Sequence, residues 1–131
     1  ALTEHVEKYE SPTKYQDLLI YTGMGFMGRE IVAIRSCDIV VILGGRSGTL
    51  GEFAIAYDEG KLIGVLEGAG GIADQIDDIL EICAVKPTGA KIIKSKNPKT
   101  LMKDLLRLYR KEFREHSSIY DYERKVSLKW D

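Results

Sequence analysis

Short apolar runs alternate with helix-length segments along most of the chain. The apolar runs are "LLIYTG" (18–23), "DIVVILGG" (38–45), "KLIGVLEG" (61–68) and "AKIIKS" (90–95). Continuous apolar runs bounded by glycine are typical of strands that a parallel sheet buries on both faces. They predict four strands, and the shorter, more polar "AKIIKS" is expected at an edge of the sheet.

Helical segments follow the apolar runs, and we expect them over residues 28–37, 49–60, 71–83 and 98–116. Apolar side chains recur at helical spacing in the last two: Ile72, Ile76, Ile79 and Leu80 in one, and Leu101, Leu105, Leu108 and Tyr109 in the other. Gly60 suits the C-cap of the second helix. Asn97 can cap the last helix, and Pro98 suits its first turn.

This alternation of strands and helices, with tight loops, predicts an α/β fold. The expected architecture is a Rossmann-like parallel sheet with helices on both faces. We expect a single domain over 1–131, with a polar lead-in (1–17), an α/β core (18–116) and a C-terminal tail (117–131). The chain starts at Ala1 rather than Met, so its start is expected to be a cut rather than a native beginning.

Composition narrows the classes of function. Charged residues make up 30% of the chain but nearly cancel, leaving a net charge of −1, which argues against a nucleic-acid partner or a membrane surface recognised by bulk charge. No apolar stretch approaches the roughly 20 residues that cross a bilayer. Cys37 and Cys83 show no metal-binding spacing, so we expect a reducing, cytoplasmic location and neither a metal nor a cofactor.

The stretch "TGMGFMGRE" (22–30) contains glycines at the spacing G-x-G-x-x-G, the fingerprint of dinucleotide-binding folds. That fingerprint requires the next strand to end in an acid that binds the ribose hydroxyls. Here the next strand ends in two glycines, and its one acid, Asp38, begins it and so lies at the opposite edge of the sheet. The glycines are therefore interpreted as permitting a tight turn.

A second glycine loop is more informative, and it comprises Gly44, Gly45, Arg46, Ser47, Gly48 and Thr49. It leaves a strand and enters a helix at the edge of the sheet where open α/β folds bind ligands. Glycines allow close approach of a phosphate, and the N-terminus of the helix favours an anion. Arg46 offers a cation for the same anion. The loop therefore predicts a phosphate-binding site.

Arg29 and Glu52 are the candidate catalytic residues. Each is expected near the start of a helix that follows neighbouring strands, so both side chains should enter one crevice. Cleavage of an N-glycosidic bond needs a carboxylate to stabilise the sugar cation or orient water, and a guanidinium to hold the phosphate or the base. Glu52 has a structural alternative, because an acid in the first turn can close a capping box with Ser47 or Thr49.

Two further segments have simpler interpretations. Glu67–Gly71 ("EGAGG") is expected to be a flexible turn, with ligand contact as the alternative. Four acids after it are expected to form a solvated helix face: Asp74, Asp77, Asp78 and Glu81.

The motifs around both candidate residues resemble the LOG-like superfamily, also described as "possible lysine decarboxylase". The stretch "GREIVAIRSCDIVVILGGRSGTLGE" (28–52) keeps the arginine of that family, the spacing to the Asp that opens the strand, and G-T-x-x-E. It is most similar to a Rossmann-fold nucleotide-binding branch with "TGMG" (22–25) and "GGxxGT" (44–49). The resemblance covers roughly residues 18–95.

This resemblance implies a homodimer or higher homo-oligomer and a nucleotide or other phosphate-bearing small molecule as ligand. Active members are cytokinin riboside 5′-monophosphate phosphoribohydrolases, which release the base and ribose 5-phosphate. By position, Arg29 and Glu52 would be the catalytic pair, and Gly45 to Thr49 would hold the phosphate. The alternatives are a carrier or sensor that binds a nucleotide-like ligand without cleaving it, as molybdenum-cofactor carriers do, and an interaction domain with no specific ligand.

The sequence also departs from the family pattern. Leu43 stands where the family has proline, and the loop is one residue longer. LOG-type domains begin with a further strand, loop and helix that line the nucleotide site, and the chain apparently lacks this unit.

Overall fold

Three parallel strands form a sheet in the computed structural model, which describes residues 20, 22–83 and 87–113. The strands are β1 (Ile39–Leu43), β2 (Leu62–Leu66) and β3 (Lys91–Ser95), in the spatial order β1-β2-β3. Val40 pairs with Ile63, and Ile63 with Ile92. Three of the four predicted strands are thereby confirmed, with β3 at an edge. The fourth, at 18–23, falls largely outside the described residues.

Four α-helices accompany the sheet in the described part of the chain. They are α1 (Gly25–Arg35), α2 (Ser47–Asp58), α3 (Ile76–Cys83) and α4 (Pro98–Leu108). A 3₁₀ turn (Gly71–Gln75) precedes α3, and a π-helical turn (Tyr109–Phe113) follows α4. The lead-in (1–17) and the tail (117–131) lie outside the described residues, so the single-domain organisation stays a prediction.

The strands bury different side chains on the two faces of the sheet. On one face, Val40 and Ile63 pack with Phe53 of α2 in a cluster that α1 and α3 also join. On the other face, Leu62 packs against Leu101 and Leu105 of α4. Helices therefore cover both faces, which confirms the predicted α/β Rossmann-like architecture. The first four residues of the central strand β2 are buried because both faces are covered.

Helix α1 corrects the predicted range 28–37, because it starts at Gly25 and ends at Arg35. Gly23 and Gly25 have positive φ angles of 66° and 70°, so the tight turn is complete by Gly25. Gly28 is already helical, and a Cβ there would lie 2.3 Å from the Cβ of Met24. Arg29 consequently lies inside the helix instead of beginning it.

Helix α2 starts two residues before the predicted Thr49. Arg46 occupies its N-cap, and no side chain caps the helix. The capping box considered for Glu52 with Ser47 or Thr49 is therefore not formed. The C-terminus is as predicted: Gly60 has φ +69°, and Lys61 N donates to Ala56 O at 2.9 Å. This bond, with Gly60 N donating to Tyr57 O at 3.2 Å, is the Schellman arrangement.

Helix α4 begins as the sequence predicts. The Asn97 side chain accepts hydrogen bonds from Lys99 N at 3.0 Å and Thr100 N at 3.1 Å, which satisfies two of the free amides of the first turn. Regular α-helix ends at Leu108, and residues 114–116 of the predicted helix lie outside the described residues. Tyr109 then donates from its hydroxyl to Asp38 Oδ2 at 3.0 Å, which joins the end of α4 to the start of β1.

Replacing Asn97 by Ala is expected to lower the free energy of unfolding by about 1 kcal/mol, because both amides lose their acceptor. Urea unfolding followed by circular dichroism measures the change. The control is Lys103→Ala on the exposed side of α4, which should stay within about 0.5 kcal/mol of the parent. Equal stability of the two variants would show that the cap contributes nothing.

Candidate functional site

The chain reverses direction at the carboxyl end of β1 through two consecutive glycines. Gly44 and Gly45 have φ angles of +60° and +95°, a backbone region that other residues rarely adopt. A Cβ on Gly45 would lie 2.2 Å from Thr49 Oγ1. Glycine at this position therefore lets the chain turn directly into α2, as the phosphate-loop interpretation requires.

The first turn of α2 presents amides that no side chain caps. The helical hydrogen-bond ladder starts with Leu50 N, which donates to Arg46 O at 3.0 Å, so the N–H groups of Ser47, Gly48 and Thr49 precede it. Exposed Arg46 adjoins them. Amides and a cation at the positive end of a helix dipole are what an anion such as phosphate requires.

The glycine loop is bonded to the segment that follows β2. Ile72 N donates to Gly45 O at 3.1 Å, and Ala73 N donates to Gly44 O at 3.0 Å. Gly71 lies directly against the loop, since a Cβ there would be 2.2 Å from Gly45 O. The two loops at this edge of the sheet therefore form one hydrogen-bonded unit.

Asp74 fixes the other half of this unit. Its carboxylate accepts hydrogen bonds from Gly68 N at 2.6 Å and Gly70 N at 3.0 Å. All four acids of the predicted solvated face are exposed, but Asp74 lies in the 3₁₀ turn before α3, where its two bonds hold Glu67–Gly71 in place. Asp77 is also engaged, in an ion pair with Lys94.

A crevice of about 400 Å³ runs along β1. Its walls are β1 itself together with Ala33, Ile34 and Cys37, and its polar end carries Thr49 and Glu52. Within the described residues β1 pairs only with β2, so its other edge faces this crevice. Apolar walls with a few polar groups at one end are typical of small-molecule sites.

Cys37 in this crevice is not an activated nucleophile. Burial raises the pKa of its thiol above the ordinary value, and the nearby Lys61 ammonium offsets that only in part. The Lys61 ammonium is itself engaged, donating to Cys37 O at 2.7 Å. A thiol whose pKa is raised stays protonated at neutral pH, so Cys37 is poorly suited to nucleophilic attack.

The structure places the candidate residues in two groups. Glu52 lies one turn beyond the amides of α2, half-buried in the crevice, and thus beside the Gly44–Thr49 loop. Arg29 is exposed on α1, with its guanidinium carbon 4.8 Å from the centre of the Phe26 ring. Among the described residues, no hydrogen bond or ion pair joins Arg29 to Glu52. Their meeting in one crevice stays a prediction.

Sequence reasoning missed Glu30. Its side chain is only 8% exposed, and Oε2 is buried without a hydrogen-bond partner among the described residues. It lies against α2, because a Cβ on Gly51 would be 2.9 Å from Oε2 and a Cβ on Gly48 would be 3.4 Å from Oε1. The available signal was its position four residues before the buried Ile34, on the same face of α1.

Two kinds of feature are absent from the described residues. No group of three or more His, Cys, Asp or Glu side chains is arranged to hold a metal ion there. Among the helices in that part of the chain, none combines the length and the apolar character needed to cross a membrane.

The fold and the site define an α/β protein with a Rossmann-like parallel sheet and an uncapped helix N-terminus at the carboxyl end of a strand. The chain belongs to the SLOG cluster4 family, whose model matches residues 2–102. This confirms the broader part of the resemblance drawn from the motifs, while the particular branch stays a prediction.

The chain is similar to the X-ray structure of TM1055, a structural genomics target, with 28% sequence identity and a TM-score of 0.65. The match covers 77% of this chain and 59% of TM1055, so the chain spans less than two thirds of the length of that protein. No relative was found among curated proteins.

Proposed function

We propose that the protein binds a nucleoside 5′-monophosphate and hydrolyses its N-glycosidic bond, releasing the free base and ribose 5-phosphate. The observation that carries this proposal is the position of Glu52. Its carboxylate lies at the polar end of an apolar crevice, next to the uncapped first turn of α2. Membership of the SLOG cluster4 family and the LOG-like motifs agree with it.

In this proposal the phosphate binds at the Gly44–Thr49 loop. The amides of Ser47, Gly48 and Thr49 would donate to its oxygens, and Arg46 would neutralise part of its charge. The loop needs no rearrangement to do so, because its shape is set by the hydrogen bonds from Ile72 and Ala73. A site that is ordered in advance loses less entropy on binding.

Glu52 would act at the sugar. The bond between C1′ and the base nitrogen breaks, the nitrogen keeps the electron pair, and C1′ develops positive charge. The carboxylate stabilises that charge and accepts a proton from the water whose oxygen bonds to C1′. The base leaves with a proton from solvent. Arg29 would hold the phosphate or the departing base, because a guanidinium offers paired donors.

Replacing Glu52 by Gln in the full-length protein is expected to reduce base release from AMP or an N6-modified AMP by a hundredfold or more, on the order of what general acid–base groups contribute. Chromatography of the free base measures the rate. Glu59→Gln is the control, since Glu59 follows the other end of α2 and pairs with Arg35 at 3.5 Å. Equal rates for Glu52→Gln and the parent would remove Glu52 from the mechanism.

The second candidate function is binding without cleavage, as in a carrier or sensor of a nucleotide-like ligand. The position of Arg29 favours it, because the guanidinium stacks on Phe26 and has no described contact with Glu52. Intact ligand recovered after long incubation with the full-length protein would support this candidate over the hydrolase.

A homodimer or higher homo-oligomer is part of the proposal. Met24, Met27 and Ile31 are exposed and recur along α1 at helical spacing. An exposed apolar stripe of this kind is suited to contact with a second copy of the chain. The oligomeric state itself stays a prediction.

A further inference from the structure

Glu30 is a buried acid, and one oxygen of its carboxylate lacks a hydrogen-bond donor among the described residues. The side chain is 8% exposed, and Oε2 has no hydrogen-bond partner in the part of the chain that the structure describes. Charged groups are removed from water at a large free-energy cost unless they are paired, so buried carboxylates are almost always paired. An unpaired one is therefore a feature to be explained by function.

The place of this carboxylate relates it to the proposed phosphate site. Oε1 lies 3.4 Å from the position of a Cβ on Gly48, and Oε2 lies 2.9 Å from that on Gly51. Gly48 belongs to the first turn of α2, whose amides no side chain caps. The two glycines leave the space that the carboxylate occupies. The Glu30 carboxylate thus lies against the side of α2 at its N-terminal end, close to the proposed phosphate site.

Two effects follow from this arrangement. The positive end of the α2 dipole stabilises the Glu30 carboxylate even without a hydrogen bond. The same carboxylate repels any second anion at that helix end. Because like charges in a partly buried site repel one another over several ångströms, this repulsion lowers anion affinity on the order of tenfold or more.

We propose that Glu30 is a specificity-determining residue of the proposed nucleotide site, which limits how much the phosphate group adds to binding. Free phosphate is then held weakly, and a ligand is retained only when its sugar and base make contacts in the crevice. The favoured ligand class is a nucleoside monophosphate recognised mainly through its nucleoside part. This inference rests on the proposed placement of the phosphate at α2, but not on hydrolysis.

The test is the binding of inorganic phosphate to the full-length protein by isothermal calorimetry at fixed pH. In Glu30→Gln, which keeps the shape and removes the charge, we expect the Kd for phosphate to fall about tenfold at low salt. The gain should shrink as salt screens the charges. Glu30→Met, of similar volume and equally uncharged, should show the same gain.

Glu59→Gln is the matched control, because it also removes one carboxylate charge. Glu59 follows the far end of the 12-residue helix α2, about 18 Å from the N-terminus of that helix. It should leave the Kd for phosphate unchanged. The proposal is overturned if Glu30→Gln and Glu30→Met bind phosphate no more tightly than the parent, or if neither the parent nor these variants bind phosphate. Base release from AMP, measured in parallel, separates the two proposals: tighter phosphate binding without any base release supports the role of Glu30 and contradicts hydrolysis.

Discussion

Replacing Gly71 by Ala is expected to lower the free energy of unfolding by about 3–4 kcal/mol, since it combines a left-handed backbone with a backbone collision. Gly71 has φ +59°, and its added Cβ would lie 2.2 Å from Gly45 O and 3.1 Å from Gly45 N. Neither atom belongs to a flexible side chain, so the two loops must separate. The hydrogen bonds from Ile72 and Ala73 to the glycine loop would then weaken.

The measurement is thermal and urea unfolding of Gly71→Ala beside Gly68→Ala. Gly68 has a similar positive φ of 79°, but a Cβ there meets nothing within 4 Å. Gly68→Ala should therefore show the backbone effect alone, about 1 kcal/mol. If both variants lose the same stability, the contact between Gly71 and Gly45 does not hold the loops together.

Replacing Leu105 by Ala is expected to lower the free energy of unfolding by about 3–4 kcal/mol, because it removes a fully buried leucine side chain. Leu105 is 0% exposed and packs with Leu62 and Leu101 between α4 and the sheet. It also lies over Gly64 of β2, where a Cβ would be 2.5 Å from Leu105 Cδ1. The helix is that close to the central strand, so a cavity at this position has little means of collapsing.

Leu106→Ala is the comparison for this prediction, because the neighbouring leucine is 40% exposed and undergoes the same chemical change. Leu106→Ala should lower the free energy of unfolding by less than about 1 kcal/mol. Urea unfolding of both variants gives the difference. A similar loss at the two positions would mean that α4 does not pack on the sheet through Leu105.

The strands and the later helices were predictable because local sequence decides them. β1, β2 and β3 lie within the apolar runs, and Asn97 and Gly60 mark helix ends through their own side-chain or backbone chemistry. The start of α1 was predicted wrongly because that prediction, too, relied on local sequence alone. Gly25 was interpreted as part of a turn that ends before Gly28, but the helix already begins at Gly25, and Gly28 permits a close contact with Met24.

Only the part of the candidate site that a contiguous stretch of sequence forms could be predicted. The Gly44–Thr49 loop is a contiguous motif, and its first two glycines, Gly44 and Gly45, adopt positive φ angles. The bonds from Ile72 and Ala73 join segments far apart in sequence, and nothing in the composition of either segment indicates that they meet. Glu30 was missed because the helix face on which it lies depends on where α1 begins and on how α1 packs against α2.

The hydrogen bonds from Ile72 and Ala73 also fix the direction of two carbonyl groups of the glycine loop. The carbonyl oxygens of Gly44 and Gly45 are directed at protein donors. Those oxygens carry the partial negative charge that would otherwise oppose a phosphate, and they are occupied inside the protein. In the proposed site the loop would therefore present its amide hydrogens to the phosphate, and backbone geometry would set its polarity whichever side chain occupies position 46.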